Sequence, residues 1–150
     1  MPASQQQTMT ASAVEPLLRF VKKHNIPLSD VLQGTNLPEH KLKDDRLNIS
    51  SFDQLINNIA RISQHEDIGF IAGQGLKLES LSLLGFLLSG SETGRDALVT
   101  MRRYYMLLSD TPSPEIFITK HEVKVLYHIS KGNELAMRAR AELIATGIHT

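Results

Sequence analysis

The sequence contains no cysteine among its 150 residues. Disulfide frameworks, thiol catalysis and cysteine-ligated zinc sites are therefore excluded. It also lacks an excess of charge, because 16 Lys and Arg side chains balance 16 Asp and Glu side chains and the formal net charge is +0. Nucleic-acid-binding modules usually carry a basic surface, so this balance argues against direct binding of nucleic acid by this chain.

Long hydrophobic runs are also missing, and none approaches the roughly 18 residues that a membrane-spanning helix needs. Residues 1–10 are polar, with neither the basic start nor the apolar stretch of a signal peptide. We therefore expect a cytoplasmic protein with no membrane contact. A chain of this length corresponds to one domain and can bury a core without a metal or a disulfide. Residues 1–10 are predicted to form a disordered tail, and the ordered domain is predicted to begin at residue 11.

Helical periodicity follows the tail over most of the chain. Ser12 and Glu15 have the spacing of a capping box, which predicts that the first helix opens at Ser12. Ser50 or Ser51 is expected to cap the next long helix. A short helix is predicted to start at Pro38, with Asp44 and Asp45 interrupting it.

Other positions predict helix ends and close contacts. Thr93 with Asp96 marks another helix start, and Gly34 is expected just past the end of a short helix. Gly85, inside a leucine-rich segment, would allow a neighbouring backbone to approach closely. The helix after Thr93 has apolar residues at helical spacing and is predicted to bury them as a stripe. The residues of this stripe are Ala97, Leu98, Met101, Tyr105 and Leu108.

The pattern changes after Pro112 and Pro114. Residues 115–120 and 123–129 are rich in β-branched side chains and partly alternate, which predicts a β-hairpin. Residues 134–146 return to a helical composition. The predicted fold class is α+β, mostly helical, with about six helices and a small antiparallel β-hairpin or sheet near residues 115–129.

Motifs for catalysis and for metal binding are lacking. No two of the six histidines are four residues apart, so no helical His-x-x-x-His metal pair exists. His65, Glu66 and Asp67 are consecutive and would point in different directions on a helix, so we expect no metal site. Ser91 lacks the flanking glycines of a nucleophile elbow, and neither a P-loop nor a dinucleotide-binding motif occurs. The sequence predicts no enzymatic activity and no cofactor.

One cluster suggests ligand binding. Arg103 and Tyr104 adjoin each other, and a guanidinium with a phenol can bind a small acidic ligand. The alternative is that Tyr105 belongs to the core and the arginines are solvated. The predicted ligand-binding residues are Arg103, Tyr104 and Phe86.

Short motifs from Val14 onward resemble the N-terminal effector domain of AraC-type transcriptional regulators, in its mostly helical, arabinose-binding-like subgroup. The matching segments before residue 80 are Leu17-Leu18, Val31-Leu32-Gln33-Gly34, Arg46-Leu47-Asn48-Ile49 and Ile68-Gly69-Phe70 with Gly73. The most specific matching segments are Leu84-Gly85-Phe86, Ser91-Glu92-Thr93, Ala97-Leu98, Arg103-Tyr104 and Leu107-Leu108-Ser109-Asp110.

The resemblance implies a regulatory domain that binds a small-molecule effector of unidentified structure and forms a homodimer. In the family, a DNA-binding domain follows, so DNA contact is expected only through a C-terminal domain not present in this chain. Residues 11–150 would then be a partial effector-sensing domain. A second interpretation is a protein–protein interaction or dimerisation module without a small-molecule ligand, using the hairpin or the leucine-rich segment at 81–88.

Overall fold

The computed structural model of the chain describes residues 6–43, 46–129 and 132–149. These ranges contain seven α-helices and four short β-strands, which confirms the α+β, mostly helical prediction. The helices are α1 (Glu15–Lys23), α2 (Leu28–Leu32), α3 (Ile49–Ser63), α4 (Ile68–Gln74), α5 (Ser82–Ser89), α6 (Gly94–Tyr104) and α7 (Glu134–His149). The strands are β1 (Thr8–Thr10), β2 (Arg46–Asn48), β3 (Glu115–Ile118) and β4 (Val123–Leu126).

The predicted hairpin is confirmed. Strands β3 and β4 pair antiparallel, with Glu115 opposite Leu126 and Ile118 opposite Val123. The turn between them is held by Thr119, whose backbone N–H donates to the carbonyl oxygen of Glu122 at 2.9 Å. The β-branched residues that predicted the hairpin therefore form it, in the predicted region.

A second small sheet corrects the prediction of a disordered tail for residues 8–10. Strand β1 pairs antiparallel with β2, and Met9 lies opposite Leu47. Met9 also packs against the hydrophobic core. The polar composition of the tail gave no sign of this strand, because its partner is almost 40 positions away. Residues 1–5 of the predicted tail lie outside the described residues.

The predicted start of the first helix is wrong. Residues Ala11–Val14 form a 3-10 helix, and α1 begins at Glu15. The Ser12 hydroxyl lies 3.0 Å from the hydroxyl of Thr10, so it does not cap the helix. The Glu15 carboxylate accepts a hydrogen bond of 2.9 Å from the Ser80 hydroxyl. The Glu15 carboxylate therefore binds the distant Ser80, whereas the capping-box pattern predicted that it would bind the backbone at the start of the helix.

The long helix α3 also starts earlier than predicted. It begins at Ile49, with Asn48 in the N-cap position, so Ser50 and Ser51 are inside the helix. The segment predicted as a helix from Pro38 is a 3-10 helix at Glu39–Lys43. The predicted interruption at residues 44–45 lies outside the described residues.

Three other local predictions are confirmed. The backbone N–H of Asp96 donates to the Thr93 hydroxyl at 3.1 Å, which caps α6. Gly34 follows the end of α2 with a φ of 72°, a left-handed conformation that favours glycine. A side chain at Gly85 would collide with the carbonyl oxygen of Leu78, so this glycine lets the 3-10 helix Leu78–Leu81 lie against α5.

The hydrophobic core lies between α1, α3, α4 and α7. Its largest fully buried side chains include Leu17, Phe52, Leu55, Ile56, Ile59 and Ile68. Helix α4 packs closely on α7 because Gly69 and Gly73 present no side chain at the contact. A Cβ at Gly73 would lie 2.7 Å from the Thr146 Cβ, and one at Gly69 would collide with the backbone of Ala139. This contact fixes the position of α7 beside the site described next.

Candidate functional site

A large cavity lies beside the core, between α5, α6, α7 and the first turn of α3. Its volume is about 720 Å³, which is within the range of sites that bind small organic molecules. Most of its lining side chains are apolar. The aliphatic ones on the helices and beside them include Leu81, Leu84, Leu88, Leu98, Met101, Leu143 and Ile144. We call this space the apolar cavity.

Helix α6 supplies one wall of the apolar cavity, where the sequence predicted a buried stripe. Tyr105, just after the helix, is buried as expected. Ala97, Leu98 and Met101 are only half-buried and line the cavity, and no residue of α6 itself is fully buried. The stripe faces the cavity, to whose wall α7 contributes Leu143 and Ile144.

Three hydroxyl groups on the wall bind one another. The Tyr105 and Thr111 hydroxyls are 3.2 Å apart, and the Thr111 and Ser109 hydroxyls are 3.0 Å apart. The Ser109 hydroxyl also lies 3.2 Å from the carbonyl oxygen of Thr8, to which it donates. These polar groups are therefore partly satisfied within the protein.

Tyr127 follows β4 and faces Tyr105 across the wall. Their rings meet edge to face, with centroids 6.0 Å apart. Burial, reinforced by the neighbouring Tyr105, raises the pKa of the Tyr127 phenol above its ordinary value. The phenol therefore stays protonated near neutral pH, and the adjacent Tyr105 is its hydrogen-bond partner.

An ion pair lies at the α7 wall. The Arg140 Nε is 3.1 Å from the Asp53 Oδ1 on α3, and both side chains are largely buried. Burial raises the pKa of Asp53 to about 6, and the opposing effect of Arg140 is smaller. Arg140 lines the cavity, whereas Asp53 lies behind it.

Two further groups that can carry a positive charge border the cavity. The His128 Nε2 lies 2.7 Å from the Glu115 Oε1, and both side chains are exposed. Arg95, in the first turn of α6, is exposed at the edge of the cavity. No carboxylate in the described part of the chain forms an ion pair with Arg95.

The residues predicted for ligand binding lie elsewhere. Phe86 is 75% exposed, Tyr104 is 39% exposed and Arg103 is exposed on α6. None of the three belongs to the lining of the apolar cavity. A ligand-binding role for them stays a prediction, but the structure brings them to a surface and not into an enclosed site.

No sequence motif pointed to Arg95, Arg140 or Tyr127 as site residues. The available signal was the apolar stripe of α6 combined with the leucine-rich segment at 81–88, both of which line the cavity. A sequence pattern cannot separate a side chain that faces a cavity from one that faces a filled core. The polar groups come from three separate elements and share no local motif.

Other candidate chemistry does not assemble within the described ranges. No group of three or more His, Cys, Asp or Glu side chains there could hold a metal ion. His65 and Asp67 form an exposed pair at 3.6 Å. In those ranges no single helix is long and apolar enough to cross a membrane. The segments Ile68–Gln74 and Leu78–Ser89 together reach the necessary length and apolar composition, but the pair is bent by 113°.

Comparison with curated proteins finds no significant match for the chain. A family model described as the arabinose-binding domain of AraC transcription regulators, N-terminal, matches residues 26–150. That range is most of the sequence and contains α3, α5, α6 and α7, which line the apolar cavity. The match confirms the resemblance found in the motifs, and the family is one of regulatory domains of transcription factors. The chain belongs to the family of N-terminal arabinose-binding domains of AraC transcription regulators.

Proposed function

We propose that this chain is the ligand-sensing and dimerisation domain of an AraC-type bacterial transcription factor, with the apolar cavity as its effector site. The observation that carries the proposal is the cavity itself, because its volume of about 720 Å³ suits a small organic molecule. The proposal places the chain in the cytoplasm, assigns it no catalysis, and leaves DNA contact to a separate domain.

The mechanism of sensing follows from the elements that meet at the cavity. Leu84 on α5, Leu98 on α6 and Leu143 on α7 all lie on its wall. A ligand that contacts all three helices stabilises the arrangement in which they fit it best, and so shifts the population toward that conformation. The resulting coupling to DNA binding in a full regulator would be about 1–3 kcal/mol, which is typical of allosteric proteins.

A thermal-shift screen with two matched variants tests the effector site. The compounds are amino acids, sugars, small organic acids and apolar alcohols. Leu98→Trp fills the cavity, whereas Val99→Trp adds the same ring at a neighbouring position that is 53% exposed. We expect a compound at 100 times its Kd to stabilise the wild type and Val99→Trp by about 2.7 kcal/mol. Leu98→Trp should abolish that stabilisation.

The screen also defines failure. Stabilisation that persists in Leu98→Trp would place the ligand outside the cavity. If no compound stabilises the wild type, the sensing role is refuted.

A second candidate function is a dimerisation module without a small-molecule ligand. The observation that favours it is a set of apolar side chains exposed on the hairpin and on α5. Phe117 is 49% exposed, Leu126 is 43% exposed and Leu83 is 56% exposed. A two-stranded sheet is marginally stable alone and has outer edges that can pair with another chain. A dimer through the hairpin would cover Phe117 and Leu126.

A further inference from the structure

The charged side chains on the wall of the apolar cavity are of one sign. Among the described lining residues are Arg95, Arg140 and the ionisable His128, but no Asp or Glu. The chain as a whole has equal numbers of acidic and basic side chains. The described wall therefore presents basic side chains and no carboxylate, which favours an anion over a cation as a bound ligand.

Two of these three groups already have partners. Arg140 pairs with Asp53 at 3.1 Å, and His128 pairs with Glu115 at 2.7 Å. Arg95 is the remaining cation on the wall, and it forms no ion pair within the part of the chain that the structure describes.

The acidic neighbour of Arg95 is engaged in capping the helix. The Thr93 hydroxyl donates to the Asp96 Oδ2 at 2.6 Å, and the Asp96 backbone N–H donates to the Thr93 hydroxyl at 3.1 Å. Asp96 is therefore held toward Thr93. Arg95 is consequently the lining cation whose charge is open to a ligand at the edge of the cavity.

The rest of the wall argues against a hydroxyl-rich ligand such as a sugar. Each hydroxyl that is buried without a hydrogen-bond partner carries a desolvation cost. The hydroxyls of Tyr105, Ser109 and Thr111 already bind one another or the backbone, and most other lining side chains are aliphatic. The wall thus suits an apolar body, although the family description names arabinose.

We propose that the apolar cavity binds an amphiphilic organic anion, whose apolar body packs among Leu84, Leu98 and Leu143 and whose single carboxylate pairs with Arg95. This inference rests on the proposed function of the cavity as an effector site. It specifies the ligand class and the residue that selects it. A fatty acid and an aromatic carboxylic acid both have this chemistry.

Isothermal titration of the whole chain with four probes tests the ligand class. Decanoate and 1-decanol share an apolar body and differ in charge, 4-phenylbutyrate has a ring in its body, and L-arabinose is the sugar. We expect decanoate or 4-phenylbutyrate to bind, and the tighter of the two identifies a chain or a ring as the preferred body. Added salt should weaken binding of the anion and leave binding of 1-decanol unchanged, because salt screens charge pairs.

Three variants test the role of Arg95. Arg95→Gln should weaken binding of the anion about fivefold, since an ion pair at an exposed edge is of modest strength, and should leave 1-decanol unaffected. Arg95→Lys keeps the charge and should restore most of the affinity. Arg102→Gln removes an exposed charge of the same helix that does not line the cavity, and it should bind all probes like the wild type.

The outcomes separate this inference from the proposed function. Equal affinity of Arg95→Gln and the wild type for the anion would overturn the inference. So would tight binding of L-arabinose, or binding of 1-decanol that is as tight as that of the preferred anion. If Leu98→Trp blocks those probes, the cavity remains the effector site and only the ligand class is wrong. If no compound of either experiment binds, both proposals fail together.

Discussion

The Nε of Arg140 on α7 lies 3.1 Å from the Oδ1 of Asp53 on α3, and each side chain is only 12% exposed. This ion pair joins α7 to α3, and both helices contribute side chains to the hydrophobic core. Arg140 also lines the apolar cavity, so the pair connects the cavity wall to the core. Burial raises the pKa of Asp53 to about 6 even with Arg140 beside it.

The raised pKa of Asp53 predicts a pH dependence of stability. The folded protein binds the proton more tightly than the unfolded chain, whose Asp53 has the ordinary value of 3.8. The contribution of Asp53 is therefore fully present below about pH 4 and is lost as the pH rises through about 6. We expect the free energy of unfolding of the wild type, relative to Asp53→Asn, to fall by an amount on the order of 3 kcal/mol across that window.

Urea unfolding of both proteins at several pH values measures this difference. Asn mimics the protonated carboxyl and does not titrate, so the difference in slope with pH between the two proteins belongs to Asp53. A difference that is constant with pH, or one that grows in favour of the wild type as the pH rises, would contradict the assignment.

A substitution at Gly69 should disrupt the contact between α4 and α7. Gly69→Ala would push a methyl group into the backbone of Ala139, which cannot move away as a flexible side chain can. We expect a loss of about 1–3 kcal/mol in the free energy of unfolding, as is typical of overpacking. Gly94→Ala is the control, because nothing lies within 4 Å of a Cβ there. Chemical denaturation of both variants should show the loss for Gly69→Ala alone.

Asp110 should stabilise the N-terminal strand in its ionised form. Its Oδ1 accepts from the Thr8 backbone N–H at 2.5 Å and its Oδ2 accepts from the Thr8 hydroxyl at 2.8 Å, with Arg46 3.7 Å away. Burial alone would raise the pKa of Asp110, but the hydrogen bonds from Thr8 and the charge of Arg46 lower it overall.

We therefore expect Asp110→Ala to lower the free energy of unfolding by about 1 kcal/mol at neutral pH. A lowered pKa means that this contribution is present above the ordinary value of 3.8 and is lost as the pH falls below it. Denaturation curves at neutral and acid pH would show the difference shrinking in acid. Glu92→Ala, at an exposed position, is the control. A difference that persists unchanged in acid would show that the charge of Asp110 is not involved.

Dimerisation through the hairpin should depend on Phe117. Phe117→Lys puts a charge where a partner strand would pack, and this position is 49% exposed, so the fold should tolerate it. We expect the wild type to sediment as a dimer at micromolar concentration and the variant to shift toward monomer. Lys120→Glu, in the turn outside both strands, serves as the control. A wild type that sediments only as a monomer would refute dimerisation by this chain.

Local signals predicted the elements that depend on local interactions. Thr93 caps α6 as its spacing with Asp96 indicates, and Gly34 has the φ that a helix end requires. The capping box at Ser12 failed because Glu15 binds Ser80, which is 65 positions away. Such a competing partner exists only in the folded chain, so the sequence pattern could not reveal it.

The candidate site was less predictable than the fold. An apolar stripe such as that of α6 shows which side chains face away from solvent, but it does not show whether they face a filled core or a cavity. Leu98 satisfies the same pattern as a core leucine and yet lies on the cavity wall. Arg95 and Arg140 reach that wall from separate helices, and their shared position depends on how those helices pack.

NMR mapping of ligand contacts tests the central claim most directly. The leucine methyl groups and aromatic rings of the whole chain are observed while decanoate, or the compound found in the screen, is added. We predict shifts concentrated at Leu84, Leu98 and Leu143, on the wall of the apolar cavity. Shifts confined to Phe86 and Tyr104, with those three leucines unchanged, would contradict the assignment of the cavity as the effector site.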